Sequence, residues 1–173
     1  MSQAPTQTPT ARGYQPPSNT QFSIFLDNRV GRLMEVVEVL QNQRLTFAGM
    51  SVVDATDHAV VRVLTSDADL ARRLINRAEL PCSESPVICV ELTNDQTLYG
   101  ICEVLLALEL NIYYAYPLMV APRGLPVIVL GVDDLTLAVN TLRKKHFTLL
   151  AENDLGDNAP GSTPGKPTEP TPN

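Results

Sequence analysis

The chain has 173 residues, 44% hydrophobic and 18% charged, enough apolar material for the core of one ordinary domain or two small ones. Thirteen Lys and Arg against nineteen Asp and Glu leave a formal charge of −6, so nucleic acid and an anionic membrane surface are excluded as expected partners. Three cysteines, Cys82, Cys89 and Cys102, lack CxxC or metal-ligand spacing, which predicts a reduced, cytoplasmic setting and no disulfide framework.

Nine of the fourteen prolines fall outside residues 21–155, in ends rich in Pro, Thr, Ser and Gln. Residues 1–20 and 156–173 are expected to be disordered tails, because so little apolar surface cannot offset the entropy of ordering them. The first twenty residues lack the apolar core of a signal peptide, so no export is expected. Phe22–Leu26 reads as a strand, followed by the turn Asp27-Asn28-Arg29-Val30-Gly31. In the helix that follows, Leu33, Val36, Val37 and Leu40 stand at i, i+3, i+4 and i+7 and predict one core-facing side, with Glu35 and Glu38 pointing away. Thr46–Val53 and Ala59–Leu64 read as strands joined by a turn over residues 54–58. Ser66 or Asp67 is placed to cap a helix over Ala68–Arg77, whose Leu70, Leu74 and Ile75 are apolar, and Pro81 and Pro86 bracket its exit.

The same order then recurs. Val87–Leu92 predicts a strand, Leu98–Leu108 a helix, Asn111–Val120 and Pro126–Val132 strands, Leu135–Lys145 a helix and Phe147–Glu152 a strand. Glu103 and Glu109 interrupt the most apolar stretch, so no membrane span is expected. A shift of 65 places Leu33 on Leu98, Val36 on Ile101, Leu40 on Leu105 and Leu45 on Leu110; a shift of 67 places Asp67 on Asp134 and Ala71 on Ala138. A common register across both helices predicts a duplicated unit, 21–86 and 87–155, with a continuous sheet.

The run from Phe22 to Met50 resembles the opening of an ACT domain, a small ferredoxin-like regulatory module of amino-acid metabolism. The shared feature is a strand, a turn ending in glycine and a helix beginning x-Leu, as in Asp27-Asn28-Arg29-Val30-Gly31-Arg32-Leu33. Val30 stands where that family usually has proline, and in the second unit Gln96 stands at the glycine position. The resemblance covers residues 21 to about 155. It implies an α+β fold of two βαββαβ units side by side, with an antiparallel eight-stranded sheet and helices on one face. It also implies a non-catalytic protein that binds a small amino acid between units, needs no cofactor, and acts on a metabolic enzyme or within its own homodimer. A regulatory subunit resembling that of acetolactate synthase and a purely structural interaction module are the alternatives.

The implied ligand site is Asp27, Asn28, Arg29, Val30, Gly31, Arg32 and Leu33, completed by the facing strand with Tyr113 and Tyr114. The chemistry agrees: the N–H groups that open a helix attract an α-carboxylate, and glycine permits close backbone approach. Strand alternation predicts Tyr114 and Tyr116 on one sheet face and Tyr113 on the other. His58, in a predicted turn, and His146, at a helix end, belong to no ligand pattern, so no metal is expected. Cys89 and Cys102 are expected to be small core hydrophobes. No nucleophile or glycine-rich phosphate loop carries a signature, so no catalytic residue is assigned.

Overall fold

The computed structural model describes residues 18–41, 44–55 and 58–156. The elements, in chain order, are β1 (Asn19–Asp27), α1 (Arg32–Leu40), β2 (Phe47–Ala55), β3 (His58–Thr65), α2 (Ala68–Arg77), β4 (Cys82–Glu91), α3 (Leu98–Leu106), β5 (Ile112–Pro117), β6 (Val127–Val132), α4 (Leu135–Lys144) and β7 (Leu149–Leu150). A short 3-10 turn, Glu152–Asp154, follows. All strand pairs are antiparallel, in the order β2-β3-β1-β4-β6-β5, with β7 also on β4.

Among the described residues the sheet has seven strands, not the expected eight, because β4 does two jobs. Its residues Cys82–Val87 pair with β1, Ile88–Glu91 pair with β6, and Cys89 and Val90 pair with β7. The expected boundary at 86/87 therefore falls inside one strand. Pro86 is tolerated there by alternation. The Pro81 carbonyl accepts from the Phe25 N–H at 2.9 Å, so five residues on, Pro86 points its missing donor away from β1, toward an edge that β6 joins only from Ile88. β1 also begins earlier than expected: Asn19 is 2% exposed and its side-chain amide donates to the Leu150 carbonyl at 2.9 Å. The remaining residues expected as tails, 1–17 and 157–173, lie outside the described residues.

Alternation along the strands divides the core. Phe22, Ile24, Leu26, Val61 and Val63 pack against α1 and α2; Ile88, Val90 and Leu130 pack against α3 and α4. Alternate residues, among them Leu64, Val87, Cys89, Val129 and Leu150, form a third cluster on the other face, to which no α-helix contributes. Burial on both faces explains the unbroken apolar run Val87–Val90. That inner face closes on itself: the sheet curls until the chain after β5 meets β2, with the Met119 N–H donating to the Ala48 carbonyl at 2.8 Å. Two glycines make the approach possible. A Cβ on Gly49 would lie 2.7 Å from Leu118, and one on Gly131 would lie 2.4 Å from the Tyr114 ring.

The expected cap of α2 is Asp67, and Asp134, its counterpart at the shift of 67, caps α4 in the same way. Asp67 accepts from the Leu70 N–H at 2.8 Å and Asp134 from the Leu137 N–H at 2.9 Å. Ala71 and Ala138, paired by the same shift, are both fully buried, as are Val36 and Ile101. The α1 face is narrower than predicted: Val36 and Leu40 are buried, but Leu33 and Val37 are each 40% exposed. Cys102 is also on the surface rather than in the core, while Cys89 is fully buried and its thiol is pushed far up by that burial. His58 begins β3, opposite Asp27 and Ala55, instead of lying in a turn. Residues 56–57 of that expected turn lie outside the described residues.

Candidate functional site

The loop between β1 and α1 is built by backbone bonds: the Arg29 N–H donates to the Asp27 carbonyl at 2.8 Å and the Arg32 N–H to the Arg29 carbonyl at 3.3 Å. Gly31 then takes φ +92°, a left-handed conformation that favours glycine, and a Cβ there would meet nothing within 4 Å. Its carbonyl accepts from the Glu35 N–H at 3.1 Å and so opens α1. Arg32 and Glu35 form an ion pair one helical turn along. Thr97, Asp67 and Asp134 cap α3, α2 and α4 through their side chains, whereas α1 has no side-chain cap. With the Arg32 N–H taken by the Arg29 carbonyl, the Leu33 and Met34 N–H groups of its first turn face an open, exposed loop.

Tyr113 and Tyr114 are not brought to this loop within the chain. Tyr113 is 63% exposed. Tyr114 lies on the inner sheet face, where its hydroxyl accepts from Gln21 Nε2 at 2.9 Å and lies 3.4 Å from Ser85 Oγ. Gln21 precedes Asp27 by six residues, roughly 20 Å of extended strand. For Tyr114 the physical reason is the curl of the sheet, which spends Tyr114 and Tyr116 on joining β5 to β1. Tyr116 donates to Gln21 Oε1 at 2.8 Å and stacks on Tyr114 at 6.5 Å between centroids; Arg62 lies 4.3 Å over the Tyr114 ring. Burial pushes the Tyr116 hydroxyl far above the usual tyrosine range, so it stays a donor. Gln21, fully buried, is a residue that periodicity did not single out, since a polar side chain at a core position reads from sequence as a surface one.

The corresponding loop of the second half is closed by its own groups. The Gln96 N–H donates to Thr93 Oγ1 at 3.0 Å, the Thr93 N–H donates to the Gln96 carbonyl at 3.0 Å, and the Gly100 N–H donates to Thr97 Oγ1 at 3.2 Å. Gln96 Nε2 reaches the His146 carbonyl at 2.5 Å. Beside it, a cleft of about 470 Å3 opens between α3 and α4. Among the described residues no cluster of His, Cys, Asp or Glu has metal-holding geometry, and no helix is long and apolar enough to cross a membrane.

A curled antiparallel sheet carrying two helix pairs, with a glycine-opened helix after its first strand, is the architecture of paired ACT modules. The chain matches the ACT domain pair family over residues 18–159 and belongs to it. It is similar to a solved protein of Bacteroides thetaiotaomicron at 26% identity, covering 80% of this chain and 95% of that one with a TM-score of 0.69. It shares its fold with the regulatory subunit of aspartate kinase from Thermus thermophilus in ligand-free form, at 12% identity, 75% and 91% coverage and a TM-score of 0.50. No curated protein matches it.

Proposed function

We propose that this ACT domain pair is a non-catalytic regulatory protein that binds a small amino acid through residues Asp27 to Leu33 and passes its occupancy to a metabolic enzyme or to a second copy of itself. One observation carries the reading: among the described residues, α1 alone of the four α-helices is entered through a left-handed glycine and has no side-chain cap. Its first-turn N–H groups suit an α-carboxylate, and Asp27, Asn28 and the loop carbonyls suit an ammonium group. Tyr114 is instead bonded to Gln21 on the inner sheet face. Exposed apolar side chains on α1 (Met34 64%) and α3 (Tyr99 72%, Leu106 76%) support a homodimer, and three unpaired cysteines support a cytoplasmic setting. Any signal requires the ligand to bind two states with different affinity.

The test is an NMR titration with each of the twenty amino acids. At least one should perturb the amides of Gly31 to Met34, and Gly31→Gln should remove that response. The variant costs about 1–2 kcal/mol of stability because its φ is positive. Undiminished binding in a folded Gly31→Gln protein would contradict the loop as the site.

A further inference from the structure

The cleft between α3 and α4 has a chemistry that the fold does not require. Its lining joins the apolar Val104, Leu108 and Phe147 to the polar Asp95, Gln96, Glu103, Thr141 and Lys145. Gln96 is held by its bond to the His146 carbonyl, which leaves its Oε1 buried without a donor. A buried acceptor of this kind calls for a donor that the chain does not supply. Lys145 is exposed and makes no ion pair among the described residues.

The first half of the chain shows what the fold alone needs. At the shifts of 65 and 67 established by the matching helices, Gly100, Thr141 and Lys145 correspond to Glu35, Leu74 and Ala78. There Leu74 packs against the core, and Ala78, directly after Arg77, stands in the place of Lys145. Gly100 is equally unforced by packing, since a Cβ would sit 3.6 Å from Phe147 and 3.7 Å from Thr97 Oγ1, ordinary contact distances. Glycine disfavours a helix relative to alanine. Its effect here is to leave the edge of the Phe147 ring open to the cleft.

From these residues we infer that the α3–α4 cleft is a second amino-acid site, distinct from the loop at Gly31, for a free α-amino acid with an apolar side chain. Lys145 and the Thr141 hydroxyl face its carboxylate, Gln96 Oε1 and the Glu103 carboxylate accept from its ammonium group, and its side chain lies over Phe147, Val104 and Leu108. The volume falls within the range of about 300–1,000 Å3 found for small-molecule clefts. The cleft stands on its own chemistry and does not depend on the loop at Gly31.

The experiment is an NMR titration of the full chain with L-leucine, L-methionine and L-phenylalanine, then with leucinamide, which lacks the carboxylate, and 4-methylpentanoate, which lacks the ammonium group. At least one amino acid should shift the amides of Gln96, Gly100 and Lys145 saturably, with the two leucine analogues about tenfold or more weaker than leucine where leucine binds. Lys145→Met should weaken binding about tenfold with an unchanged melting temperature. Gly100→Ala should weaken it while raising that temperature, a combination that misfolding cannot produce. Shifts confined to Asp27–Leu33 would overturn the cleft and leave the loop site standing. Shifts confined to the cleft would support it and count against the loop. Shifts nowhere, or wild-type affinity in Lys145→Met, would also overturn the cleft.

Discussion

Glu152 is half-buried beside the start of α2, where its Oε1 accepts from the Ala68 N–H at 2.5 Å. Burial nevertheless raises its pKa, against the lowering effect of that bond, and the charges of Asp67 and Asp69 raise it further. A carboxyl raised in the folded state favours the protonated form, so its contribution to stability is fullest below the unfolded value of about 4.5 and is lost as pH rises through the folded value. Glu152→Gln keeps an acceptor for Ala68 and removes the charge. Thermal melts across pH should find the variant more stable than the parent near pH 7 and equal to it below about pH 4; a variant less stable at neutral pH would mean that the charged bond outweighs burial. Glu84 has the opposite sign, since its bond to Arg72 lowers its pKa, but both partners are exposed and the effect on stability is small. Three other residues show what single-residue chemistry hides. Glu79, Glu109 and His146 all have positive φ after α2, α3 and α4, where glycine is the usual signal. Each is followed by an apolar residue whose N–H reaches back five positions, Leu80 to Ile75, Leu110 to Leu105 and Phe147 to Leu142. That apolar residue, rather than a glycine, was the readable mark of the helix end.

Among the elements, α2 was legible to the residue, because a capping Asp67 and a run of helix formers coincide with burial of one face. In α1 the same periodicity pointed four apolar residues inward and only Val36 and Leu40 are buried, since a heptad-like pattern does not reveal how much of a helix its sheet covers. The run of β4 across the expected unit boundary was hidden by Pro81 and Pro86, read as bracketing the exit of α2 without knowledge of which edge Pro86 would face. The joining of β5 to β1 and β2 was invisible for a related reason: it depends on contacts between residues about 95 positions apart, such as Tyr116 with Gln21. Gly131 is the sharpest test of that junction. Gly131→Ala would force its Cβ into the Tyr114 ring, displacing β5, and should cost about 1–3 kcal/mol in chemical denaturation. A loss below about 0.5 kcal/mol would show that the ring moves aside freely.

At the scale of the molecule, the loop at Gly31, the proposed ligand site, was legible as a unit because its glycine, turn and helix start are contiguous in sequence. The α3–α4 cleft was not, because Gln96, Gly100 and Lys145 meet only after α4 packs beside α3. The apolar surface left on α1 and α3 predicts association. Light scattering over a wide concentration range should give a homodimer, and Met34→Lys with Leu106→Lys should shift it toward monomer without loss of fold. A parent chain that is monomeric at every concentration would refute the dimer. The central claim is that the native chain is a receptor for a small amino acid, and thermal denaturation of the full chain with each of the twenty amino acids at millimolar concentration tests it most directly. A ligand held only by the folded state adds about 2.7 kcal/mol at one hundred times its Kd, worth several degrees. At least one amino acid should therefore raise the melting temperature in a saturable way, and unchanged melting with all twenty would contradict the claim.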